Sequence, residues 1–388
     1  MKIPKITFRL EQIIVPVIAM LVVYGIINIS IDFTFLTSMG DTEDDFSITD
    51  VFYKIENSSK QKMLNQKIVL VDVSDIYDRR QLANIIETIC SYNPSVVGLD
   101  IIFEGEKDDI IANNQLISIL KKHRNIISSN KLLDYNPDTD EFTRSVSSFW
   151  NDKVNVTYGY TNLTTNSNTD ITRMLSYRRV LNGRNVYSFS NVIAHKALES
   201  QPDSIEDRFI DYTSEEFLVI DAIDLPTFKE EIKNKIILVG ATKEEQDMHL
   251  TPIGKISGLH LQAYSVLTCL NNKAKHHLPY AWQMIIVFCL IWFTHSVIFY
   301  IEDFCGNNST LKYWQDNFTL IFIFAFIVMI LYVDYYLYVV QDLLIDIIPC
   351  VLGIGLVDPI KKLYAAIINT CTNVFHIKIL KKSIYYDI

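Results

Sequence analysis

Cysteine and basic residues are in short supply in this chain of 388 residues. Six cysteines are too few for a small disulfide-linked scaffold, and a hydrophobic fraction of 49% is too high for collagen or a disordered tail. The 35 basic residues are outnumbered by 45 acidic ones, which gives a net charge of −10. A nucleic-acid-binding protein needs a basic face to displace counterions from phosphates, so this balance argues against that class.

Motifs of common catalytic sites are also missing from the sequence. It contains no P-loop, no His-Glu-x-x-His zinc motif and no nucleophile elbow. We therefore expect a protein that is not an enzyme and that carries no cofactor.

Long apolar segments predict four membrane-spanning helices, because about 20 apolar residues in a helix cross a bilayer. The segments are residues 13–31, 281–300, 318–333 and 343–357. The first of them ends without a small-x-small cleavage site, so we interpret it as an uncleaved anchor rather than a signal peptide. The lipid bilayer is thus one predicted partner.

The positions of basic residues predict that the N-terminal segment 1–12 and the tail 358–388 both lie in the cytoplasm. Basic side chains precede the first span and follow the last one: Lys2, Lys5 and Arg9, then Lys361, Lys362, Lys378, Lys381 and Lys382. Residues 32–280 then lie outside the cytoplasm, and their 26 basic and 36 acidic residues account for the whole net charge. The connection 301–317 does not fit this rule, because it has one lysine and three acidic residues.

Continuous apolar runs alternate with amphipathic helical patterns in residues 32–280. Such runs are typical of strands that are covered on both faces, so we expect an α/β domain with a mostly parallel sheet and flanking helices. The predicted strands are 67–73, 95–102, 125–128 and 235–240, and the predicted helices lie near 82–90, 108–122, 191–198 and 259–270. Between them, the polar stretch 130–184 predicts loops and an antiparallel excursion. Cys90 and Cys269 lie on apolar helix faces, so we expect buried free thiols although this compartment permits disulfides.

Candidate ligand-binding residues follow the predicted strands. Asp72 and Asp100 stand at strand ends, with Asp75, Phe103 and Thr242 close behind. Ligands bind beyond the carboxyl ends of parallel strands, so these side chains are our candidates for holding a cation, an amine or a hydroxyl group. The alternative is that each aspartate caps the next helix or orders its own loop. The N–H groups of residues 240–242 either bind an anion or form a tight turn.

Histidines near this edge do not establish a metal site. His249 and His260 flank the same loop as Asp247, but zinc needs three or four convergent ligands and the spacing does not supply them. We therefore predict no metal.

Polar residues in the last predicted span mark its boundaries. Asp346 and Asp358 are interpreted as residues of the outer and inner boundary, and Gly353-x-Gly355 predicts close helix packing. The tail that follows has an apolar stripe surrounded by lysines. It either lies on anionic lipid or docks onto a partner.

Taken in order, these motifs resemble those of the type-two CHASE domain, an extracellular sensory module of bacterial receptors. The similar stretches are 68–73 (IVLVDV), 98–103 (GLDIIF) and 237–242 (ILVGAT), then Asp247, Thr251-Pro252, Gly254 and Gly258-Leu259. The family typically has one membrane span before the sensor and three after it, and the resemblance covers residues 13 to about 357. One departure is Gln262, where the family tends to have a histidine; here the nearest is His260.

The resemblance implies a sensor in the bacterial inner membrane, with its large domain in the periplasm. About 30 residues follow the last span, without a nucleotide loop, a phosphate-accepting histidine box or a cyclase signature. We therefore expect that a ligand or protein is sensed outside and that a separate cytoplasmic effector receives the signal. The alternative is a scaffolding subunit of an envelope complex. The sequence leaves the oligomeric state open.

Overall fold

The computed structural model describes residues 11–28, 52–55, 63–106, 109–165, 171–202, 207–212, 215–271, 276–306, 310–377 and 384. The chain divides into two compact units. Residues 42–276 form one of them, and residues 1–41 with 277–388 form the other. Each unit is described by itself below.

Strands and helices alternate through the α/β unit. Its strands are β1 (Met63–Asp72), β2 (Val96–Leu99), β3 (Ile126–Asn136), β4 (Glu141–Ser147), β5 (Thr157–Tyr160), β6 (Thr164–Thr165), β7 (Thr172–Leu175), β8 (Arg178–Leu181), β9 (Arg184–Tyr187), β10 (Arg208–Phe209), β11 (Glu215–Asp221), β12 (Ile236–Gly240), β13 (Met248–Thr251) and β14 (Gly254–Ser257). Its helices include α2 (Arg79–Ser91), α3 (Ile110–Lys122), α4 (Phe189–Ala197), α5 (Lys229–Ile232) and α6 (Gly258–Asn271). Single turns of 3₁₀ helix occur at Leu225–Thr227 and Glu245–Asp247.

The central sheet has the order β11-β1-β12-β2-β3-β4-β8-β9, with β5 paired to β3. Its first five strands are mutually parallel. Beyond β3 the sheet is mixed: β3 with β4 and β8 with β9 are antiparallel pairs, and β4 with β8 is a parallel pair. The parallel half therefore presents four neighbouring strand ends at one edge, those of β11, β1, β12 and β2.

Helices cover both faces of the parallel half. Val69 and Val71 of β1 lie in one core with Leu82 and Ile86 of α2 and with side chains of α3. Ile68 and Leu70 alternate with them along the strand, are also fully buried, and face the side where α4 and α6 contact the sheet. Two buried faces require apolar residues at consecutive positions, which explains the uninterrupted apolar run of β1.

The predicted α/β architecture is confirmed for this unit. The strand at 67–73, the helices near 82–90 and 108–122 and the strand at 235–240 all occur, and the polar stretch 130–184 forms the antiparallel excursion. Strand β11 was not predicted, and β3 is longer than its predicted four residues. Cys90 and Cys269 are buried thiols that are not joined in a disulfide, as expected.

The second unit is helical. It contains α1 (Glu11–Asn28), α7 (Tyr280–Gly306), α8 (Gln315–Val340) and α9 (Ile348–Val374), a 3₁₀ turn at Leu311–Trp314, and a strand residue pair at Leu343–Leu344. Two helical stretches are long and apolar enough to cross a membrane, Tyr280–Gly306 and Leu311–Val340, and Glu11–Ile26 is apolar but shorter. The basic residues Lys2, Lys5, Arg9, Lys378, Lys381 and Lys382, which carried the orientation argument, lie outside the described residues.

The last predicted span differs from the helix found there. Residues 343–347 precede α9, which begins at Ile348 and continues well past the predicted end at residue 357. Pro349 suits the first turn of a helix because it lacks an N–H group, and Asp346 accepts a hydrogen bond from the Ile348 N–H at 3.3 Å. Of the two glycines, Gly353 supports close packing, since a Cβ there would lie 2.3 Å from the Ile291 side chain, whereas Gly355 has open space.

Asp358 does not extend to solvent at the end of a span. It pairs with Lys361 at 3.2 Å and with Lys362 at 3.0 Å, one turn further along α9. Lys361 is fully buried and also pairs with Glu302 of α7. A buried lysine requires such partners because an unpaired charge is costly away from water. Asp358 is therefore part of an ion-pair cluster between α7 and α9, and its place at the inner boundary of a span stays a prediction.

Candidate functional site

Four strand ends bring acidic residues together at one edge of the parallel sheet. In the strand register, Asp72 lies opposite Asp221 on one side and Gly240 on the other. Asp100 follows the end of β2, and its N–H donates to the Val239 carbonyl at 2.9 Å. The sheet therefore gathers Asp72 and Asp100, as the sequence predicted, and adds Asp221.

Asp72 is held as a carboxylate by groups of its own chain. Only 3% of the residue is exposed. Its Oδ1 accepts hydrogen bonds from the Ser74 N–H at 3.1 Å, the Ser74 hydroxyl at 2.5 Å and the Thr242 N–H at 3.1 Å. Burial by itself raises the pKa of Asp72, but these hydrogen bonds and Lys243 outweigh it and lower the pKa to about 2. Asp72 therefore orders its own loop, as the structural alternative proposed.

The turn after β12 is closed by internal hydrogen bonds. The Ser74 hydroxyl accepts from the Thr242 N–H at 2.9 Å and from the Lys243 N–H at 3.1 Å. These N–H groups thus have acceptors within the protein. The geometry matches the tight-turn interpretation of residues 240–242 and leaves these two donors no role in binding an anion.

Lys243 is the cation of this edge. Its Nζ lies 3.0 Å from Asp72 Oδ2 and 3.4 Å from a carboxylate oxygen of each of Asp75 and Asp221. The Asp72 carboxylate, through its hydrogen bond and its charge, raises the pKa of Lys243 above the usual lysine value. Because the lysine side chain is 56% exposed, water screens these pairs and each contributes little to stability.

Asp100 has a different environment. It lines a cavity of about 350 Å³, together with side chains from the ends of β1 and β2 and from the loop after β12. None of the described residues donates a hydrogen bond to its carboxylate. The residue is partly exposed. Burial, and secondly the charge of Asp247, raise the pKa of Asp100 to about 7.

Asp247 reaches the cavity from the loop between β12 and β13. Its carboxylate packs against Gly258, the first residue of α6, where a Cβ would lie 2.4 Å from an Asp247 oxygen. Gly258 therefore allows this close approach. His249 lies beside it, with Nε2 3.3 Å from Asp247 Oδ1. Asp247 and Gly258, which were noted in the sequence, thus fix the position of one acidic side chain in the cavity wall.

The remaining predicted residues occupy other positions. Phe103 is buried in the core, with its ring centroid 4.9 Å from that of Trp150. Asp75 is largely exposed, and it reaches only Lys243 among the described residues. Thr242 contributes its backbone N–H to Asp72. Within the cavity, Asp100 is therefore the member of the predicted set that lies on the wall.

Histidine and metal chemistry have little support at this edge. His260 Nδ1 lies 2.8 Å from the Ser257 hydroxyl, and burial lowers its pKa. Gln262, at the family's histidine position, is buried and donates to the Thr161 carbonyl at 3.5 Å. Among the residues that the structure describes, no three His, Cys, Asp or Glu side chains converge as a metal site would require.

Sequence reasoning missed two residues of the edge, Asp221 and Lys243. Asp221 ends β11 in the run FLVID, which is similar to the LVD that ends β1, so an apolar run closed by aspartate was the available signal. Lys243 directly follows the predicted Thr242, but a lysine in a loop has no distinguishing pattern. Its role depends on contacts with the ends of two other strands, β1 and β11.

Comparison with known proteins adds one finding. The family model of the CHASE2 domain matches residues 20–298 of the 388. No curated protein and no solved structure matches this chain.

Proposed function

The chain belongs to the CHASE2 family of sensory domains, and from this premise we propose that it is a membrane sensor that binds a ligand at the edge of its parallel sheet. The observation that carries the proposal is the cavity beside Asp100, because it lies beyond the carboxyl ends of β1, β12 and β2. A cavity of about 350 Å³ is within the range of small-molecule sites. The function is binding and signalling rather than catalysis.

The membrane arrangement is the second part of the proposal. The α/β unit lies in the periplasm of a bacterial inner membrane, with one span before it and three after it, and both termini are cytoplasmic. Support comes from the two long apolar helical stretches, Tyr280–Gly306 and Leu311–Val340, and from the shorter Glu11–Ile26. Pairing of Lys361 with Glu302 and Asp358 supports burial of the polar part of α9 inside a bundle rather than against lipid.

A separate cytoplasmic effector receives the signal in this proposal. The end of α9 has an apolar stripe that is not covered by the described residues: Leu363, Ile367 and Val374 are 61%, 53% and 63% exposed. These positions recur at nearly helical spacing, so they share one side of the helix. A ligand shifts the state of this helix only by its difference in affinity between two conformations.

Blocking the cavity and recording the contacts of α9 tests the proposal. In the native host, a photo-reactive amino acid replaces Ile367, and cross-linked products are compared between the wild-type background and Gln246→Trp. Gln246 is an exposed residue of the cavity wall, so a tryptophan there closes the cavity without disturbing the core. Gln201→Trp, on an exposed loop outside the cavity, is the matched control.

A sensor gives a cytoplasmic cross-linked product whose yield changes at least several-fold with Gln246→Trp and not with Gln201→Trp. A scaffolding subunit instead co-purifies with a stoichiometric periplasmic protein, and its cross-links are the same in both variants. A tag after Ile388 that is accessible from the periplasm contradicts the arrangement of the spans.

A further inference from the structure

An aspartate is buried inside the helical unit. Asp334 lies in the last two turns of α8, which ends at Val340, and only 3% of the residue is exposed. Its Oδ2 atom has no hydrogen-bond partner. An ionised carboxylate without a partner is costly away from water, so an aspartate inside a helix bundle of a membrane protein has to be either paired or neutral.

Basic side chains do not neutralise Asp334. Among the described residues, no lysine, arginine or histidine forms an ion pair with it. The buried Lys361 of α9 pairs with Glu302 and Asp358 instead. More than three turns of α9 separate Lys361 from the beginning of that helix at Ile348. A proton is therefore the positive charge that is available to Asp334.

The titratable groups around Asp334 add negative charge. Asp346, in the connection between α8 and α9, is exposed and close enough for its charge to act on Asp334. Both carboxylates act on the thiol of Cys350, in the first turn of α9. Asp346 also acts on Tyr24 of α1, whose ring centroid lies 6.3 Å from that of Tyr280 of α7. All these groups become anions when they ionise, so none of them compensates a charge on Asp334.

The packing at this end of the bundle is closed around the neutral form of Asp334. Leu344 and Ile347 of the connection are 2% and 3% exposed, and Cys350 is 1% exposed. The helix α8 contacts both this connection and α9. An ionised Asp334 has to reach water, because its charge has no partner inside the bundle. Ionisation therefore favours a conformation in which the end of α8 separates from the beginning of α9.

We propose that Asp334 is a proton-binding site that controls the contact between the end of α8 and the beginning of α9. With the proton bound, Asp334 is neutral and Cys350 stays covered. When the proton passes to water, the carboxylate becomes hydrated and Cys350 is uncovered. This inference goes beyond ligand binding at the sheet edge, and it uses residues of the helical unit alone.

Infrared spectroscopy measures the protonation of Asp334 directly. Spectra of the full-length chain in lipid nanodiscs are compared with those of Asp334→Asn, and the difference isolates the C=O stretching band of one protonated carboxyl. We expect this band at about pH 6 and its loss by about pH 9, whereas an aspartate in water is ionised at both values. The control is Asp316→Asn, in the first turn of the same helix, where the side chain is 89% exposed. It should leave the band unchanged.

The exposed neighbour Asp346 supplies a second variant. Asp346→Asn removes a nearby negative charge, so Asp334 should release its proton at a pH that is lower by about half a unit or more. The asparagine oxygen can still accept the hydrogen bond from the Ile348 N–H. If Asp334→Asn does not fold, the band is followed in the wild type and in Asp346→Asn through its shift in D₂O.

Alkylation of Cys350 measures the contact between the two helices. The full-length proteins are treated with iodoacetamide, and the modified peptides are quantified by mass spectrometry. At pH 9 we expect Cys350 to react at least several-fold faster in the wild type than in Asp334→Asn, and at pH 6 equally. An ionised Asp334 disfavours the thiolate, so a faster reaction reports exposure of the thiol. Cys305, a buried thiol near the other end of α7, should stay unmodified in both proteins.

Three results would overturn the proposal. Absence of the band at pH 6 means that Asp334 is already ionised. A band that persists at pH 9, or equal reaction of Cys350 in the two proteins at that pH, means that no proton controls the contact. Modification of Cys305 together with Cys350 means that the bundle unfolds as a whole. The sensor function is judged separately by the cross-linking at residue 367, so the two proposals can fail independently.

Discussion

The edge of the parallel sheet has two halves, and they differ in the hydrogen-bond donors that they offer to their aspartates. In the closed half, formed by Asp72, Ser74, Thr242 and Lys243, every oxygen of the buried carboxylate has a donor from the same chain. In the open half, formed by the cavity and Asp100, the described residues give the carboxylate no donor. Both aspartates follow apolar strands that are neighbours of β12. Position at a strand end therefore does not decide the role of an aspartate; the loops that follow do.

The opposite pKa shifts follow from this difference. Hydrogen bonds overcome the effect of burial at Asp72 and lower its pKa to about 2, whereas burial and Asp247 raise the pKa of Asp100 to about 7. At neutral pH the closed half is a fixed ion-pair network, and the open half is divided between two protonation states. Of these two carboxylates, that of Asp100 is the one to which the described residues give no donor.

Removing Asp72 should have the largest effect on stability. Asp72→Ala leaves the Ser74 N–H, the Ser74 hydroxyl and the Thr242 N–H without their acceptor, so we expect a loss of about 2–3 kcal/mol in the free energy of unfolding at pH 7. Chemical denaturation of the full-length chain in detergent measures it. Asp138→Ala, at an exposed turn, serves as the control and should change stability by less than about 0.5 kcal/mol.

The same denaturation experiment at acidic pH tests whether the charge of the Asp72 carboxylate causes the loss of stability. The folded-state pKa of Asp72 lies below its ordinary value of 3.8, so its stabilisation is present above about pH 4 and is lost as the pH falls toward about 2. The difference between the wild type and Asp72→Ala should therefore shrink over that interval. A difference that stays constant from pH 4 to pH 2 would show that packing, and not the carboxylate charge, is responsible.

Neutralising Asp100 should increase the free energy of unfolding, whereas removing Asp72 should decrease it. Its folded-state pKa is raised, so the stability of the wild type falls as the pH rises from about 4 to about 7, because the unfolded chain loses the proton first. Asp100→Asn removes this cost and should stabilise the protein by roughly 1–2 kcal/mol at pH 8. At pH 4, where the carboxyl is protonated in the folded protein, the two should be nearly equal.

Thermal unfolding of both proteins at the two pH values measures this effect. Asp247 and His249 also act on Asp100, and both residues are present in both proteins. A lower stability of Asp100→Asn at pH 8 would mean that the carboxylate already has a partner in the folded protein, and the distinction between the two halves would fail.

Much of the α/β fold was predictable because two buried faces impose apolar runs. β1, β2 and β12 are visible in the sequence for this reason, and the aspartates at the ends of the β1 and β2 runs located Asp72 and Asp100 at a common edge. β11 was missed because its first two residues are glutamates, which leaves an apolar run of only four residues, 217–220. Because β11 was missed, Asp221 was missed as well, and it is one of the three carboxylates around Lys243.

The cavity could not be predicted from patterns in the sequence. Its acidic wall depends on how the loop at Glu245–Asp247 folds back against Gly258, which is a contact between two elements rather than a property of either. Phe103 follows the same strand as Asp100 but packs against Trp150, which is distant in the sequence and sets the direction of its ring. Strand ends thus predict where a site lies, and tertiary contacts decide which side chains enter it.

Substituting Lys243 should have the smallest effect on stability, and the result tests the difference between the two halves of the edge. Lys243→Met removes one contact of Asp72 but leaves the donors of Ser74 and Thr242 in place, so we expect a loss of at most about 1 kcal/mol, which decreases in high salt. The same denaturation series measures it beside Asp72→Ala. A loss as large as that of Asp72→Ala would make the ammonium group the centre of the closed half. A small loss would show that the backbone and hydroxyl donors hold the Asp72 carboxylate in place. An added cation cannot displace these donors. Asp100 is then the carboxylate of this edge that a ligand can satisfy.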